Sequence, residues 1–202
     1  YSLIIPVYKN EESLPDLLAV LTDMNAKLAG KLEVVIVVDG SPDNSYAILR
    51  QRLPEMPFAS QLLLHSRNYG SFAAIRAGMQ VACGNYFAVM AADLQEPPEL
   101  ALEFFQLLAA DEADVVVGTR DARHDPWRSR WSSEIFWWIY RKFIIKEMPP
   151  GGVDMFGCNR QFRNELLSLD ESNSSLIGLL FWLGFRRKTV AYQRRERQHG
   201  VS

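Results

Sequence analysis

The sequence predicts a single α/β domain with a mostly parallel central sheet flanked by helices. Three observations carry this. Short β-branched runs alternate with helical stretches along the chain. The run at 33–39, EVVIVVD, stays apolar until its terminal acid, as in a parallel strand buried on both faces. The 202 residues, 48% hydrophobic and 23% charged, are enough for one core of this class.

Residues 2–8 read as the first strand, with Pro6 near its end, where a missing ladder donor costs least. Residues 11–28 read as a helix with Leu14, Leu17, Leu18 and Leu21 on one face. The strand at 33–39 follows, then a helix over 44–53 with Asp43 or Asn44 near its cap. A strand at 61–66, a helix at 72–82 and a strand at 86–92, ending at Asp93, come next. Pro97 and Pro98 open a helix that runs to about residue 110, and 114–119 is another strand. Beyond Arg120, Trp127, Trp131, Ile135, Trp138 and Ile139 recur at helical spacing beside Arg128, Arg130, Arg141 and Lys142. Aromatics beside basic residues suit a helix lying at a membrane interface, and equally an amphipathic helix packed on the sheet. The stretch PPGGVDMFGCN reads as a loop entering a strand, 165–169 and 175–183 as helices, and 188–192 as a last strand before a basic loop.

A net charge of −2 argues against a general nucleic-acid binder. Arginine and lysine gather at 120–146 and 186–197, a pattern that fits phosphate chemistry or an anionic membrane surface. Arg186, Arg187 and Lys188 read as a solvated face. Cys83 and Cys158 match no metal or redox spacing and read as two buried thiols. No apolar run reaches the ~18 residues needed to span a bilayer. The chain starts at Tyr1, at the lip of a strand, and reads as an excerpt of a longer protein. GxGxxG, GxxxxGK[ST] and GxSxG are all missing, which counts against a dinucleotide oxidoreductase, a P-loop NTPase and a nucleophile-elbow hydrolase. His65, His124 and His199 are scattered and form no metal cluster in the sequence.

In open α/β sheets, ligands bind beyond the carboxyl ends of the strands. Three strands end in polar clusters: 8–12, 39–43 and 93–96. One acid at a strand end is usually a helix cap, but three at one sheet edge point to a site.

These clusters lie within PVYKNEESL, VVDGSPDNS, SRNYGSFAAIRAGM and MAADLQEPPEL, followed later by GGVDMFGCNR and WLGFRRKTVAYQRRERQHGVS. In this order they resemble the inverting GT-A glycosyltransferases typified by dolichyl- and polyprenyl-phosphate mannose or glucose synthases, over nearly the whole chain. The resemblance implies a GT-A fold, a Rossmann-like nucleotide-diphospho-sugar transferase domain. It also implies one catalytic domain over 1–202, with 1–120 binding the nucleotide sugar and 121–202 facing the acceptor. Pro6, Tyr8 and Asp39 would line the base and ribose pocket, Asp39 accepting from the nucleoside, with Arg67 and Asn68 at its border. Asp93 and Gln95 would hold Mg²⁺ or Mn²⁺ against the donor diphosphate. Arg120 would face the acceptor or its phosphate, Asp154 would act on the acceptor side as base or orienting acid, and Arg197 would contact the diphosphate. Three positions depart from the family: Ala91 and Val38 stand where it usually has Asp, and Asn10 where it often has Glu. Ala91 removes a hard oxygen ligand and so weakens the expected metal site.

The implied reaction moves a sugar from a UDP-, GDP- or dTDP-sugar, with inversion, to a polyprenyl phosphate or a lipid-linked or saccharide acceptor. Such chemistry serves cell-envelope polysaccharide or glycolipid synthesis at the cytoplasmic face of the membrane. Two other classes compete. A donor-binding but catalytically weak module is favoured by Ala91. A nucleotidyltransferase is disfavoured, because PVYKNEES is unlike a glycine- and lysine-rich phosphate loop.

Overall fold

The structure, a computed structural model, describes residues 1–120, 153, 155–169 and 176–195. Asp154, Arg197 and the aromatic-basic stretch 127–146 lie outside the described residues. Among the described residues the apolar runs become seven strands: β1 (Ser2–Val7), β2 (Glu33–Val38), β3 (Ala59–Leu64), β4 (Tyr86–Val89), β5 (Val115–Arg120), β6 (Met155–Asn159) and β7 (Arg187–Tyr192). The amphipathic runs become α1 (Leu14–Lys27), α2 (Ser45–Arg52), α3 (Ser71–Val81), α4 (Pro98–Ala109), α5 (Arg160–Ser168) and α6 (Leu176–Trp182). One sheet contains these seven strands in the order β3-β2-β1-β4-β6-β5-β7. β1 pairs in parallel with β2 and β4, β2 with β3, and β5 with β7, while β6 runs antiparallel between β4 and β5.

Alternating side chains feed two cores. Leu3, Ile5, Val7, Val34, Ile36 and Val38 face α1, α2 and α4. Ile4, Val35, Val37, Phe87 and Val89 face α3, α5 and α6. β2 is continuously apolar because helices cover both its faces, as the sequence predicts.

Several boundaries differ from the sequence expectation. The first helix opens with a 3₁₀ turn at Glu11–Ser13, and α1 starts only where Pro15, which has no N–H to leave unpaired, fits its first turn. Edge strand β3 begins two residues early, at Ala59 and Ser60, which are exposed and carry no apolar signal. β4 ends at Val89 rather than residue 92: the chain leaves the ladder there and enters the polar loop. α5 starts at Arg160, five residues before its expected position, because Asn159 closes β6 and caps the helix at once, accepting from Phe162 N at 2.9 Å. Cys158 is buried as expected, but Cys83 is exposed, since it sits in the turn that leaves α3.

α3 and α5 fasten one another by their carboxyl ends. Arg76 donates to the carbonyls of Leu167 (3.0 Å) and Leu169 (2.7 Å), and Arg163 donates to that of Met79 (3.1 Å). Each guanidinium meets the negative end of the other helix. A Cβ on Gly78 would stand 2.6 Å from Ile4 Cγ2, so its absence lets α3 lie directly on β1. α3 therefore aims its amino end at the carboxyl edge of the sheet.

At the opposite edge, Asp114 accepts from Asn159 Nδ2 (2.9 Å) and from Arg186 N, Nε and Nη2 (3.1, 3.0 and 3.0 Å). Arg186 is exposed, in keeping with the solvated face expected of it, but it is paired with Asp111 and Asp114. Hydrogen bonds from the guanidinium hold the Asp114 carboxyl below its ordinary value. A depressed carboxylate contributes stability above its unfolded pKa of ~3.9, and that contribution is lost as pH falls through the lower folded value. Asp114→Asn should therefore lose about 1–3 kcal/mol at neutral pH. Denaturant titrations should also show a flatter acid limb than in the parent chain. An unchanged pH profile would remove Asp114 from the acid response.

Candidate functional site

The carboxyl ends of β1, β2, β3 and β4 lie at one edge because all four run the same way. The strand order reverses between β1 and β4, since α1 and α2 carry the chain out to β3 and α3 returns it to β4. Ligands of open α/β sheets bind at such a switch point. A cavity of about 340 Å³ opens there, lined by Pro6, Val7, Tyr8, Asn10, Asp39, Asn68, Gly70, Ser71, Ala91, Ala92 and Asp93. Small-molecule sites span roughly 300–1,000 Å³.

Asp39 organises one wall. It is buried, and its carboxylate accepts from His65 Nδ1 (2.7 Å), Tyr69 N (3.0 Å) and Gly70 N (2.7 Å). A carboxylate only accepts, so the proton in the histidine bond sits on Nδ1. Three of about four lone-pair positions are thus used within the chain, which leaves about one for a ligand. Beside it, Gly40 has φ +60, and a Cβ there would stand 2.2 Å from the Arg67 carbonyl carbon. The loop after β3 can press on β2 only because no side chain intervenes. Arg67 reaches over the Tyr69 ring at 4.4 Å and borders the cavity without lining it.

A second set of bonds fixes the loop after β1. Lys9 N donates to Ser41 Oγ (2.8 Å), Glu11 N to Asp43 Oδ2 (3.1 Å), and Asn44 N back to Glu11 Oε2 (2.8 Å). Burial raises the Asp43 pKa, but bonds from Ser41, Ser45 and Glu11 outweigh it and hold the carboxyl below its ordinary value. Asp43 thus works as a staple between two loops. The Asn44 side chain makes no cap bond, whereas Asp43 Oδ1 accepts from Ser45 N at 3.2 Å.

On the far side, the chain leaving β4 carries Ala91 and Asp93 into the cavity wall. Asp93 Oδ1 accepts from Gln95 N at 3.3 Å. Lys9 (φ +55) and Leu94 (φ +55) take left-handed backbone next to Tyr8 and Asp93. Of the four non-glycine residues in that region among those described, the other two, Ala29 and Asp111, end helices. Strain of this kind gathers at functional sites.

Of the residues expected from sequence, the cavity gathers Pro6, Tyr8, Asp39, Asn68 and Asp93. Gln95 is in the turn beside Asp93, and its carbonyl accepts from Arg195 N at 2.8 Å. Arg120 closes β5 at the same sheet edge. Asp154 and Arg197 fall outside the described residues, although Met155, which follows Asp154, begins β6 at this edge. Sequence reading missed His65, which a lone histidine gives no reason to select, and the two left-handed residues.

Among the described residues no three His, Cys, Asp or Glu side chains gather to hold an ion, and position 91 presents a methyl group. Asp93 offers a carboxylate and Gln95 an amide oxygen. Mg²⁺ usually takes one or two carboxylates and completes its shell with water and substrate phosphate. The set fits an ion that arrives with a diphosphate and does not fit a preformed cage.

A family model described as "Glycosyl transferase family 2" matches residues 2–169. An undecaprenyl-phosphate 4-deoxy-4-formamido-L-arabinose transferase from Pseudomonas fluorescens is 34% identical over 203 residues, covering 100% of this chain and 59% of its own length. A glycosyltransferase from Bacillus subtilis, YkcC, is 32% identical over 99% of this chain and 62% of its own. The chain therefore spans about three fifths of the length of these relatives. Among solved structures, the mannosyltransferase PcManGT from Pyrobaculum calidifontis, in complex with GDP-Man and Mn²⁺, superposes with a TM-score of 0.68 at 16% identity, covering 97% of this chain and 56% of that one. Glucosyl-3-phosphoglycerate synthase from Mycobacterium tuberculosis, with Mn²⁺, UDP and phosphoglyceric acid, gives 0.67 at 16%, covering 98% and 71%. These likenesses establish the GT-A fold.

Gly40 and Gly30 separate contact from backbone strain. A Cβ added at Gly30 (φ +74) would meet nothing within 4 Å, so Gly30→Ala should cost only the left-handed penalty, about 1–2 kcal/mol. Gly40→Ala adds the collision with Arg67 and should cost about 1–3 kcal/mol more. Equal losses in urea titrations would mean that the β3–α3 loop does not lean on Gly40.

Proposed function

This chain belongs to glycosyl transferase family 2, and on that premise we propose that it transfers a sugar from a nucleoside-diphosphate donor, with inversion, to a polyprenyl phosphate or related lipid-linked or saccharide acceptor. The observation that carries the proposal is the cavity at the β1/β4 switch point, which unites Tyr8, Asp39 and Asn68 with Asp93. Residues 1–120 supply this donor half, and 121–202 the acceptor half. The undecaprenyl-phosphate transferase among the relatives supports a lipid phosphate as acceptor. A lipid acceptor places the reaction at the cytoplasmic membrane face, in cell-envelope polysaccharide or glycolipid synthesis. No helix among the described residues is long and apolar enough to cross a membrane, and the basic-aromatic stretch 127–146 is the segment we assign to the lipid surface.

The chemistry follows from what must be stabilised. An acceptor oxygen attacks the anomeric carbon as the nucleoside diphosphate leaves from the opposite face. Tyr8, Asp39 and Asn68 hold the nucleoside, and Asp39 contributes its remaining acceptor position. Negative charge grows on the departing diphosphate. Asp93 and Gln95 would hold Mg²⁺ or Mn²⁺ there, and the ion would supply electrostatic stabilisation of that charge. Arg197 shares this load because Ala91 gives no carboxylate. A lipid phosphate is already ionised and needs no base, so Asp154 would orient the donor sugar or the acceptor. With a sugar hydroxyl, Asp154 would take the proton. Arg120 faces the acceptor phosphate.

Ala91 also favours a second reading, a donor-binding module with weak turnover. Transfer assays with UDP-, GDP- and dTDP-sugars and undecaprenyl phosphate separate the two. The catalytic reading expects product, and Asp93→Ala should lower its formation by about a hundredfold or more. Ala91→Asp should reduce the Mn²⁺ concentration needed for half-maximal rate. Near-normal turnover in Asp93→Ala would remove Asp93 from the diphosphate site, and nucleotide binding without any product would favour the weak module.

A further inference from the structure

The chain leaving β7 does not run off into solvent. β7 is three places from β4 in the sheet, yet Arg195 N donates to Gln95 O at 2.8 Å. The segment 193–195 therefore turns back along the carboxyl edge to the turn that carries Asp93. Two carboxylates from that turn and the helix after it meet it. Arg194 Nε lies 3.8 Å from Glu96 Oε1, and Arg195 Nη2 lies 3.0 Å from Glu99 Oε2. The Glu96 side chain is only 5% exposed, and a buried carboxylate is tolerated only with compensating charge and donors. The Glu99 pair is solvent-exposed and weak alone, but the Arg195 backbone bond already holds its partner in place.

We propose that Glu96 and Glu99 are positioning residues that clasp the basic segment after β7 to the donor-phosphate turn at 93–95. Neither touches the donor. They act through Arg194 and Arg195, so that the basic segment 193–195 is held at a fixed point beside the turn that carries Asp93. The clasp gives the turn after β4 two jobs: Asp93 faces the donor, while Gln95, Glu96 and Glu99 hold the arginines. This rests on the donor-site reading above, from which the clasp itself is separable.

The test is a charge exchange read in two independent ways. Hydrogen exchange of the Arg195 amide reports the clasp without any substrate. Steady-state transfer reports its use. Glu99→Arg and Arg195→Glu should each speed exchange at position 195 and lower kcat/KM for the donor by about threefold. The loss should fall mainly on kcat, with the melting temperature unchanged. The Glu99→Arg/Arg195→Glu pair should restore both readings. Glu96→Gln, which keeps shape and removes charge, should act in the same direction by about tenfold. Unaltered exchange in all three single variants would overturn the clasp. Faster exchange with unchanged kcat/KM, or no recovery in the exchanged pair, would overturn its role in transfer. A parent chain that shows the predicted exchange but binds no nucleoside diphosphate would overturn the donor-site reading and the positioning role with it.

Discussion

The buried carboxylate of Asp39 extends the β2–β3 pairing beyond the ends of the strands and ties the loop after β3 to the end of β2. It directly follows β2, and it collects three N–H groups from the loop that follows β3: the His65 ring and the Tyr69 and Gly70 amides. Gly40 lets that loop sit against the strand end. Gly70 then leads into α3, whose line is set by the contact of Gly78 with Ile4 and by the arginines shared with α5. The cavity wall formed by Asn68, Gly70 and Ser71 is therefore a consequence of how one acid is satisfied. An acceptor-only group buried beside N–H donors is costly to leave unpaired, so the loop has little freedom.

Among the described residues the opposite wall carries one carboxylate, Asp93. Its neighbour Leu94 is left-handed, and position 91 is a methyl group. The basic segment after β7 is tied to the turn that carries Asp93. A diphosphate can be neutralised by a metal, by guanidinium groups or by both, and the ties from Gln95, Glu96 and Glu99 hold arginines at that turn.

Much of this was legible in the sequence, for a physical reason. A parallel strand covered on both faces must be apolar along its length, so its end is marked by the first polar residues: sharply for β1 and β2, but three residues late for β4, and residues from all three clusters line the cavity. The placement of β6 was not legible. The run MFGCN reads as a strand, but its insertion antiparallel between β4 and β5 depends on long-range fit, such as Gly157, where a Cβ would stand 3.0 Å from the Phe87 carbonyl oxygen and 3.2 Å from Phe104 Cβ. The start of α5 was hidden because Asn159 ends a strand and caps a helix with no spacer. His65 was passed over because a single histidine has no pattern, and its role comes only from the Asp39 carboxylate beside it. Asp39, selected from sequence, does line the cavity, but its three internal partners lie 26 to 31 positions away along the chain and are visible only after folding.

Amide chemical-shift mapping of the chain during titration with UDP, GDP and dTDP tests the central claim most directly. The account predicts that one nucleotide saturates a single site and that the shifts gather on four loops, at 6–10, 39–43, 68–71 and 91–95. Saturating shifts centred elsewhere, or none with any of the three nucleotides, would contradict a donor site at the β1/β4 switch point.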